Sequence, residues 1–301
     1  MTRLHELISA SAQRLPGNPT ARLDVWLLVE AITGRRREDL LAELHSAAET
    51  LLSPDDRQRL DDLVARRARG VPVAYLTGLR EFYGRNFAVG PGVLVPRPET
   101  EHLVDAALDW VTACFASAED KPVRIHDCCT GSGCLGVSVA LELRSRGIPV
   151  DITLSDISPQ ALAYARRNAE HHLAAFAGEQ LRWTVAPADL LEITPPVSRP
   201  HLILANPPYL SAEETDRALA SGWEEPRIAL DGGRDGLASY KRLLRQARET
   251  LLPGGMIMVE HGAGQAAAVR DIFIESGFSS PMGIKDLAGH DRATTAMVPQ
   301  A

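Results

Sequence analysis

The sequence predicts an α/β protein, with a mostly parallel β-sheet carrying helices on both faces and a small all-α N-terminal domain ahead of it. Three observations carry this expectation. From residue 123 onwards, strand-like and helical runs alternate as VRIHDCC, GCLGVSVALELR, VDITLSD, SPQALAYARRNAEHH, LRWTVAPAD and HLILANPPY, the alternation of βαβ units. Residues 1–70 instead space apolar side chains three and four apart, the helical period. Residues 71–98 are interrupted by Gly78, Gly84, Gly90, Pro91, Gly92, Pro96 and Pro98, which suits turns and short extended pieces. The expected division is a helical domain over residues 1–71, a hairpin-like connector over 72–98 and the α/β domain over 99–301.

In chain order, Leu4, Leu7 and Ile8 mark a first helix, and Leu23, Trp26 and Leu27, with Glu30 and Ala31, a second. Ser53 reads as an N-cap before Pro54 at the first helical position. That helix runs through Leu60, Leu63 and Val64 to about Arg69. The bundle can present a surface but carries no evident chemistry. A helix is expected over 99–111, and after HLILANPPY the runs GLASYKRLLRQARETL, GMIMVEHG and AAAVRDIFIESG continue the alternation.

The 301 residues exceed the usual single-domain size. No apolar run approaches the roughly 20 residues of a membrane span, and MTRLHELISASAQR lacks the apolar core of a secretory signal, so a cytoplasmic protein without a membrane partner is expected. A net charge of -7, from 32 Lys plus Arg against 39 Asp plus Glu, argues against stable binding of nucleic acid, which needs clustered positive charge. Residues 1–70 hold 11 Arg and 11 acidic residues, so the negative excess lies downstream. Arg35, Arg36 and Arg37, and Arg66, Arg67 and Arg69, form either a basic patch for an acidic partner or solvated helix faces. Of the four cysteines, Cys128 and Cys129 are adjacent, which suits a reducing compartment better than a disulfide framework. No metal is expected at His126, Cys128, Cys129 and Cys134, because neighbours on a strand point to opposite faces and the spacing matches no zinc pattern.

The first strand of the α/β domain leads through Asp127, Cys128, Cys129 and Thr130 into Gly131, Ser132 and Gly133 and then a helix. Gly131, Gly133 and Gly136 satisfy G-x-G-x-x-G, and Asp156 ends the second strand where a ribose-binding carboxylate belongs. Taken alone this also fits a nicotinamide enzyme, or glycines that merely allow close packing. The strand HLILA discriminates, because it delivers Asn206, Pro207, Pro208 and Tyr209 to the same sheet edge. The prolines stiffen the backbone and donate no hydrogen bonds, leaving carbonyls free to accept. Asn206 adds a side-chain acceptor and Tyr209 a flat apolar face. Such a set suits a planar NH2 held by two acceptors and aimed at a sulfonium methyl.

The sequence resembles the release factor glutamine methyltransferases over essentially its whole length. Beyond the glycine loop and N-P-P-Y, the resemblance rests on PVAYLTG at 72–78, REFYG at 80–84, LVPRPETE at 94–101, EPRIALDGG at 225–233, DGL at 235–237, KDLAG at 285–289 and Asp291 with Arg292. It implies a class I, Rossmann-like S-adenosylmethionine-dependent methyltransferase fold with a mostly parallel seven-stranded sheet. It further implies that Asp127 and the loop Cys129, Thr130, Gly131, Ser132 and Gly133 hold the methionine part of S-adenosylmethionine, that Asp156 with Ile157 binds the ribose, and that Asp189 and Leu190 border the adenine. Asn206 and Pro207 would hold a glutamine amide, beside Pro208 and Tyr209, while Arg97 and the run Glu99, Thr100 and Glu101 shape the floor. The implied partners are class I release factors, methylated at the glutamine of Gly-Gly-Gln and docked partly by the N-terminal domain of a monomeric enzyme. Cys129 stands where the family often has Gly, so a positive φ there would be strained, and Leu190 is aliphatic where an aromatic can occur. Alternative substrates are a glutamine of a large-subunit ribosomal protein, the exocyclic amine of adenine and a small molecule. A fold kept for binding without turnover is the alternative outside catalysis. His126, His201 and His261 are expected to be structural.

Overall fold

The structure, a computed structural model, describes residues 2–115, 121–178, 180–194, 197–286 and 288–300. Two units emerge, one of residues up to 79 together with 218–224, the other of 80–217 and the residues from 225 onwards.

The first unit is built on α1 (Leu4–Gln13), α2 (Ala21–Thr33), α3 (Arg37–Ala42), α4 (Pro54–Ala68) and α5 (Val73–Thr77). Leu4, Ile8, Val25, Leu28, Val29, Leu40, Leu60 and Val64 form its core. In α2 the buried face is Val25, Trp26, Leu28 and Val29, while Leu23 is 46% exposed, not the Leu23–Trp26–Leu27 stripe read from spacing. The run VWLLV is apolar all round, so periodicity cannot choose its inner face. Ser53 does cap α4: its hydroxyl accepts from Asp56 N at 3.1 Å and the Asp56 carboxylate accepts from Ser53 N at 3.1 Å. Buried Asp24 is paired with Arg67 at 2.7 Å, which compensates an otherwise costly buried charge. Residues 73–77 are helical rather than extended, and end at Gly78 in the left-handed region.

In the second unit the hairpin β1 (Leu79–Phe82) and β2 (Arg85–Ala88) precedes α6 (Glu101–Phe115). Then follow β3 (Val123–Cys128), α7 (Cys134–Ser145), β4 (Val150–Asp156), α8 (Pro159–Leu173), β5 (Leu181–Asp189), β6 (Glu192–Ile193), β7 (Leu202–Ala205), α9 (Ala212–Ala220), α10 (Ala238–Thr250), β8 (Met256–Glu260), α11 (Ala266–Glu275), β9 (Ser279–Lys285) and β10 (Asp291–Met297). The sheet order is β6-β5-β4-β3-β7-β8-β10-β9. Seven strands match the expected mostly parallel sheet, and the eighth, β6, is a two-residue antiparallel addition to β5. β5, β4, β3, β7 and β8 run parallel, and β10 is antiparallel to both β8 and β9. Every residue of β7 and β8 is buried, as parallel strands covered on both faces require. One core layer includes Leu103, Leu108, Val137 and Leu143, the other Tyr240, Leu244, Val269 and Phe273. Leu287 of the 285–289 segment lies outside the described residues. No helix among the described residues is long and apolar enough to cross a membrane.

Candidate active site

Sheet register builds the site. Cys128 is paired with Ser155 on β4 and with Ala205 on β7, and Ala205 with Val259 on β8. Residues leaving these strands therefore emerge as neighbours: Cys129 next to Asp156 on one side, and Cys129 next to Asn206 and Asn206 next to Glu260 on the other. The chain winds from β3 outward to β4 and β5, then returns to the other side of β3 at β7. Such a reversal opens a crevice at the carboxyl ends of the strands.

The crevice is a cavity of about 600 Å³. Of the residues singled out in sequence, Asp127, Cys129, Thr130, Gly131, Ser132, Asp156, Ile157, Asp189, Leu190, Asn206, Pro208 and Arg97 line it. Gly133, Pro207, Tyr209 and Glu99 stand outside that lining. Gly133 is in the left-handed region at φ 82° and opens α7. Pro207 is buried. Tyr209 packs on the layer that contains Tyr240 and Phe273, its carbonyl accepts from Gln265 Nε2 at 2.8 Å, and burial pushes its phenol up to about 12.

Asp127 is a pin for the loop. Its Oδ2 accepts from the Thr130 hydroxyl and from Gly136 N at 3.0 Å, and burial raises its carboxyl to about 7. A Cβ on Gly136 would meet Leu154 Cδ2 at 2.5 Å and Asp127 Oδ2 at 2.8 Å, so the third glycine of the pattern serves this close packing. Asp156 is held from both sides, with Oδ2 accepting from Gly131 N and Oδ1 from Ser158 N, each at 2.9 Å. Its carboxyl is also raised, chiefly by burial. Asp189 pairs with Arg242 at 2.6 Å.

Cys129 has φ 57° and Leu190 the same value. Cys129 has thus left the strand, and its sulfur lies 3.9 Å from that of Cys128. The opposite-face geometry expected for this pair does not hold, because β3 ends at Cys128. Among the described residues no group of His, Cys, Asp and Glu is arranged to hold a metal ion. The histidines near the motifs have structural partners: His126 Nε2 meets Ser155 Oγ at 2.7 Å, His201 Nδ1 accepts from Arg124 N at 3.0 Å, and both nitrogens of His261 are engaged, by Gly262 O and Thr294 Oγ1. Burial holds His126 and His201 down at about 4.

Glu225 and Glu260 carry no site role in the sequence analysis, and Thr100 appears there only as part of the floor, without a partner. Glu225 accepts from Val95 N at 3.0 Å and pairs with Arg97 at 2.6 Å, joining the 93–97 segment to the 225–231 loop at the cavity. Thr100 lines the cavity and donates to buried Glu260 at 2.6 Å. The available signal was a carboxylate ending the otherwise apolar run MIMVE; nothing in the sequence tied Thr100 to it.

Comparison with known proteins bears on this geometry. Residues 6–78 match the PrmC N-terminal domain family and residues 101–223 the methyltransferase small domain family. Over 303 residues the chain is 34% identical to the release factor glutamine methyltransferase of Salmonella typhimurium, spanning 97% of this chain and 96% of that protein. Identity to the Bordetella pertussis enzyme of that name is 39% over 293 residues, 97% of this chain and 98% of that one. To the Neisseria gonorrhoeae enzyme it is 42% over 245 residues, 80% and 82%. This chain belongs to the release factor glutamine methyltransferase family. It is a class I methyltransferase by fold and its cofactor is S-adenosylmethionine.

The residues present fit that cofactor. The Ser132 hydroxyl is buried with only the weakly hydrogen-bonding Cys134 thiol beside it, which suits a polar ligand group in the cavity. Asp156 keeps lone-pair capacity beyond its backbone bonds for ribose hydroxyls, and Ala188, Leu190 and Ile157 supply apolar lining.

Proposed function

We propose that the protein methylates the side-chain amide nitrogen of the glutamine in the Gly-Gly-Gln motif of class I peptide chain release factors. The observation that carries this reading is the strand register that sets Asn206 beside the loop at Cys129 and beside Glu260. When bound, S-adenosylmethionine supplies an electrophilic methyl on a sulfonium. The chain's residues supply position. Asn206 Oδ1 and the Pro207 carbonyl accept the two amide N–H bonds, and Pro208 and Tyr209 keep that backbone stiff and shielded. An amide nitrogen is a weak nucleophile because its lone pair is delocalised. Two acceptors on its hydrogens fix the position and direction of the nitrogen, and that orientation lowers the entropic part of the barrier. No strong base is needed beforehand, since the nitrogen becomes acidic as it is alkylated.

In this reading the loop 129–133, with Asp127 behind it, holds the methionine portion, Asp156 and Ile157 the ribose, and Asp189 and Leu190 the adenine edge, while Arg97 and Glu99 shape the substrate floor. Residues 1–71 dock the factor, 72–98 connect and 99–301 catalyse. The enzyme works as a monomer in the cytoplasm, and the net charge of -7 supports the absence of stable nucleic acid. The test is transfer from radiolabelled S-adenosylmethionine to a purified release factor and to a form with the motif glutamine changed to alanine. Label on the intact factor alone is expected. Label on both forms, or on neither while the cofactor binds, overturns the reading and directs attention to ribosomal protein or adenine.

A further inference from the structure

Glu260 ends β8 with only 3% of its surface exposed, and its carboxylate is met by a hydroxyl: Thr100 Oγ1 donates to Oε2 at 2.6 Å. This is the length of a charge-assisted O–H···O bond. A threonine hydroxyl has one hydrogen, here committed to the carboxylate, so towards any third group Thr100 can only accept. That third group is Asn206, whose Nδ2 lies 3.3 Å from Thr100 Oγ1 and which also hydrogen-bonds Glu260. A carboxylate and a committed hydroxyl both demand hydrogens. The NH2 end of the Asn206 amide must therefore face them, and Oδ1 is left to the cavity that Thr100 and Asn206 both line.

We infer that Thr100 and Glu260 are positioning residues that fix the polarity of the Asn206 amide, so that it offers the substrate an acceptor and selects a planar NH2 over a carbonyl or hydroxyl oxygen. This rests on the clamp role proposed above for Asn206. A reversed amide would set NH2 against NH2, losing one hydrogen bond to the substrate and leaving donors opposed. Thr100 and Glu260 come from distant parts of the chain, the turn before α6 and the end of β8, and the register of β7 on β8 brings Asn206 beside Glu260.

The lock depends on the charge of Glu260. Burial raises this carboxyl to about 7, with Glu99 adding to the rise, while bonds from Thr100 and Asn206 and the charge of Arg292 pull it down. Tyr209, Tyr240 and Cys134 also feel its charge. Once protonated, Glu260 becomes a donor, the Thr100 hydroxyl is released and the amide loses its fixed direction, so kcat falls as pH drops below about 7.

The test compares wild type, Thr100→Val, Thr100→Ser and Glu260→Gln. Thr100→Val keeps the shape and removes the hydroxyl. Its kcat with release factor should fall about 10²-fold, as expected for a misplaced reacting group, with KM for the factor and calorimetric affinity for S-adenosylmethionine within about threefold of wild type; Thr100→Ser should recover most of the loss. Glu260→Gln should lower kcat and remove the acid limb of its pH profile. Independently of turnover, the Asn206 side-chain NH2 resonances, identified by their disappearance in Asn206→Ala, should exchange slowly with water in wild type and Thr100→Ser, and faster in Thr100→Val and Glu260→Gln. Unchanged kcat and unchanged exchange in a folded Thr100→Val protein would overturn the inference. If Thr100→Val does not fold, the same two readouts on Glu260→Gln decide. Should wild type fail to label the factor at all, the proposed substrate is wrong, and amide exchange alone still decides the lock.

Discussion

At the residue scale, Cys129 shows a site side chain constrained by backbone before chemistry. Its φ of 57° belongs to the left-handed region, which costs a residue with a Cβ about 1–2 kcal/mol. Cys129→Gly removes that cost but adds unfolded-state entropy of roughly 0.5–1 kcal/mol. The expected outcome is a net stabilisation of about 0.5–1 kcal/mol, measured as a raised urea midpoint at unchanged slope; a lowered midpoint would show that the thiol's packing against the Cys128 layer outweighs strain. Leu190, which also lines the cavity, carries the same φ. Two strained non-glycine positions thus border one site, where the surrounding strands over-determine the backbone.

At the element scale, the turn from β3 into α7 is held by contact between backbone and the Asp127 carboxylate. Gly136 sits where a methyl group would fall 2.8 Å from Asp127 Oδ2 and 2.5 Å from Leu154 Cδ2. Gly136→Ala should therefore destabilise by about 1–3 kcal/mol, the usual cost of overpacking. It should also weaken S-adenosylmethionine binding in titration calorimetry, because Asp127 must move and it anchors Thr130. Loss of stability with intact cofactor affinity would mean that the loop keeps its shape without this anchor.

At the scale of the whole molecule, opposing buried groups shape the response to pH. Asp127 and Glu260 titrate at about 7 against ordinary values of 3.8 and 4.5, so between those limits the folded protein holds more protons and each makes stability fall as pH rises. His126 and His201 titrate at about 4 against 6.5; there the unfolded chain holds more protons, and stability rises with pH. Over the shared window the contributions largely cancel in wild type. Glu260→Gln removes one falling contribution, so its stability relative to wild type should improve from pH 5 to pH 8. The gain is on the order of 3 kcal/mol at about 1.4 kcal/mol per pKa unit, read from urea unfolding at both pH values. A constant difference would mean that Glu260 titrates alike in both states.

The alternation that forms a parallel sheet, the cap at Ser53, the glycine turn and the N-P-P-Y segment are legible in the sequence, because these are local patterns whose physics lies within a few residues. It left open which face of α2 is buried, since VWLLV is apolar all round, and it placed residues 73–77 in extended chain although they are helical. The antiparallel pair β9 and β10 escaped as well; in β9 most residues are exposed, so no apolar run announced it. Long-range packing sets the rest: Cys129 is left-handed, Gln265 holds the Tyr209 carbonyl, Glu225 ties Arg97 and Val95, and Thr100 and Glu260 meet Asn206. Those partners lie 56, 128, 130, 106 and 160 residues apart in the pairs Gln265–Tyr209, Arg97–Glu225, Val95–Glu225, Thr100–Asn206 and Thr100–Glu260. Strand register brings Asn206 beside Glu260, and a register between distant strands is set by packing of both sheet faces at once, which no local pattern contains.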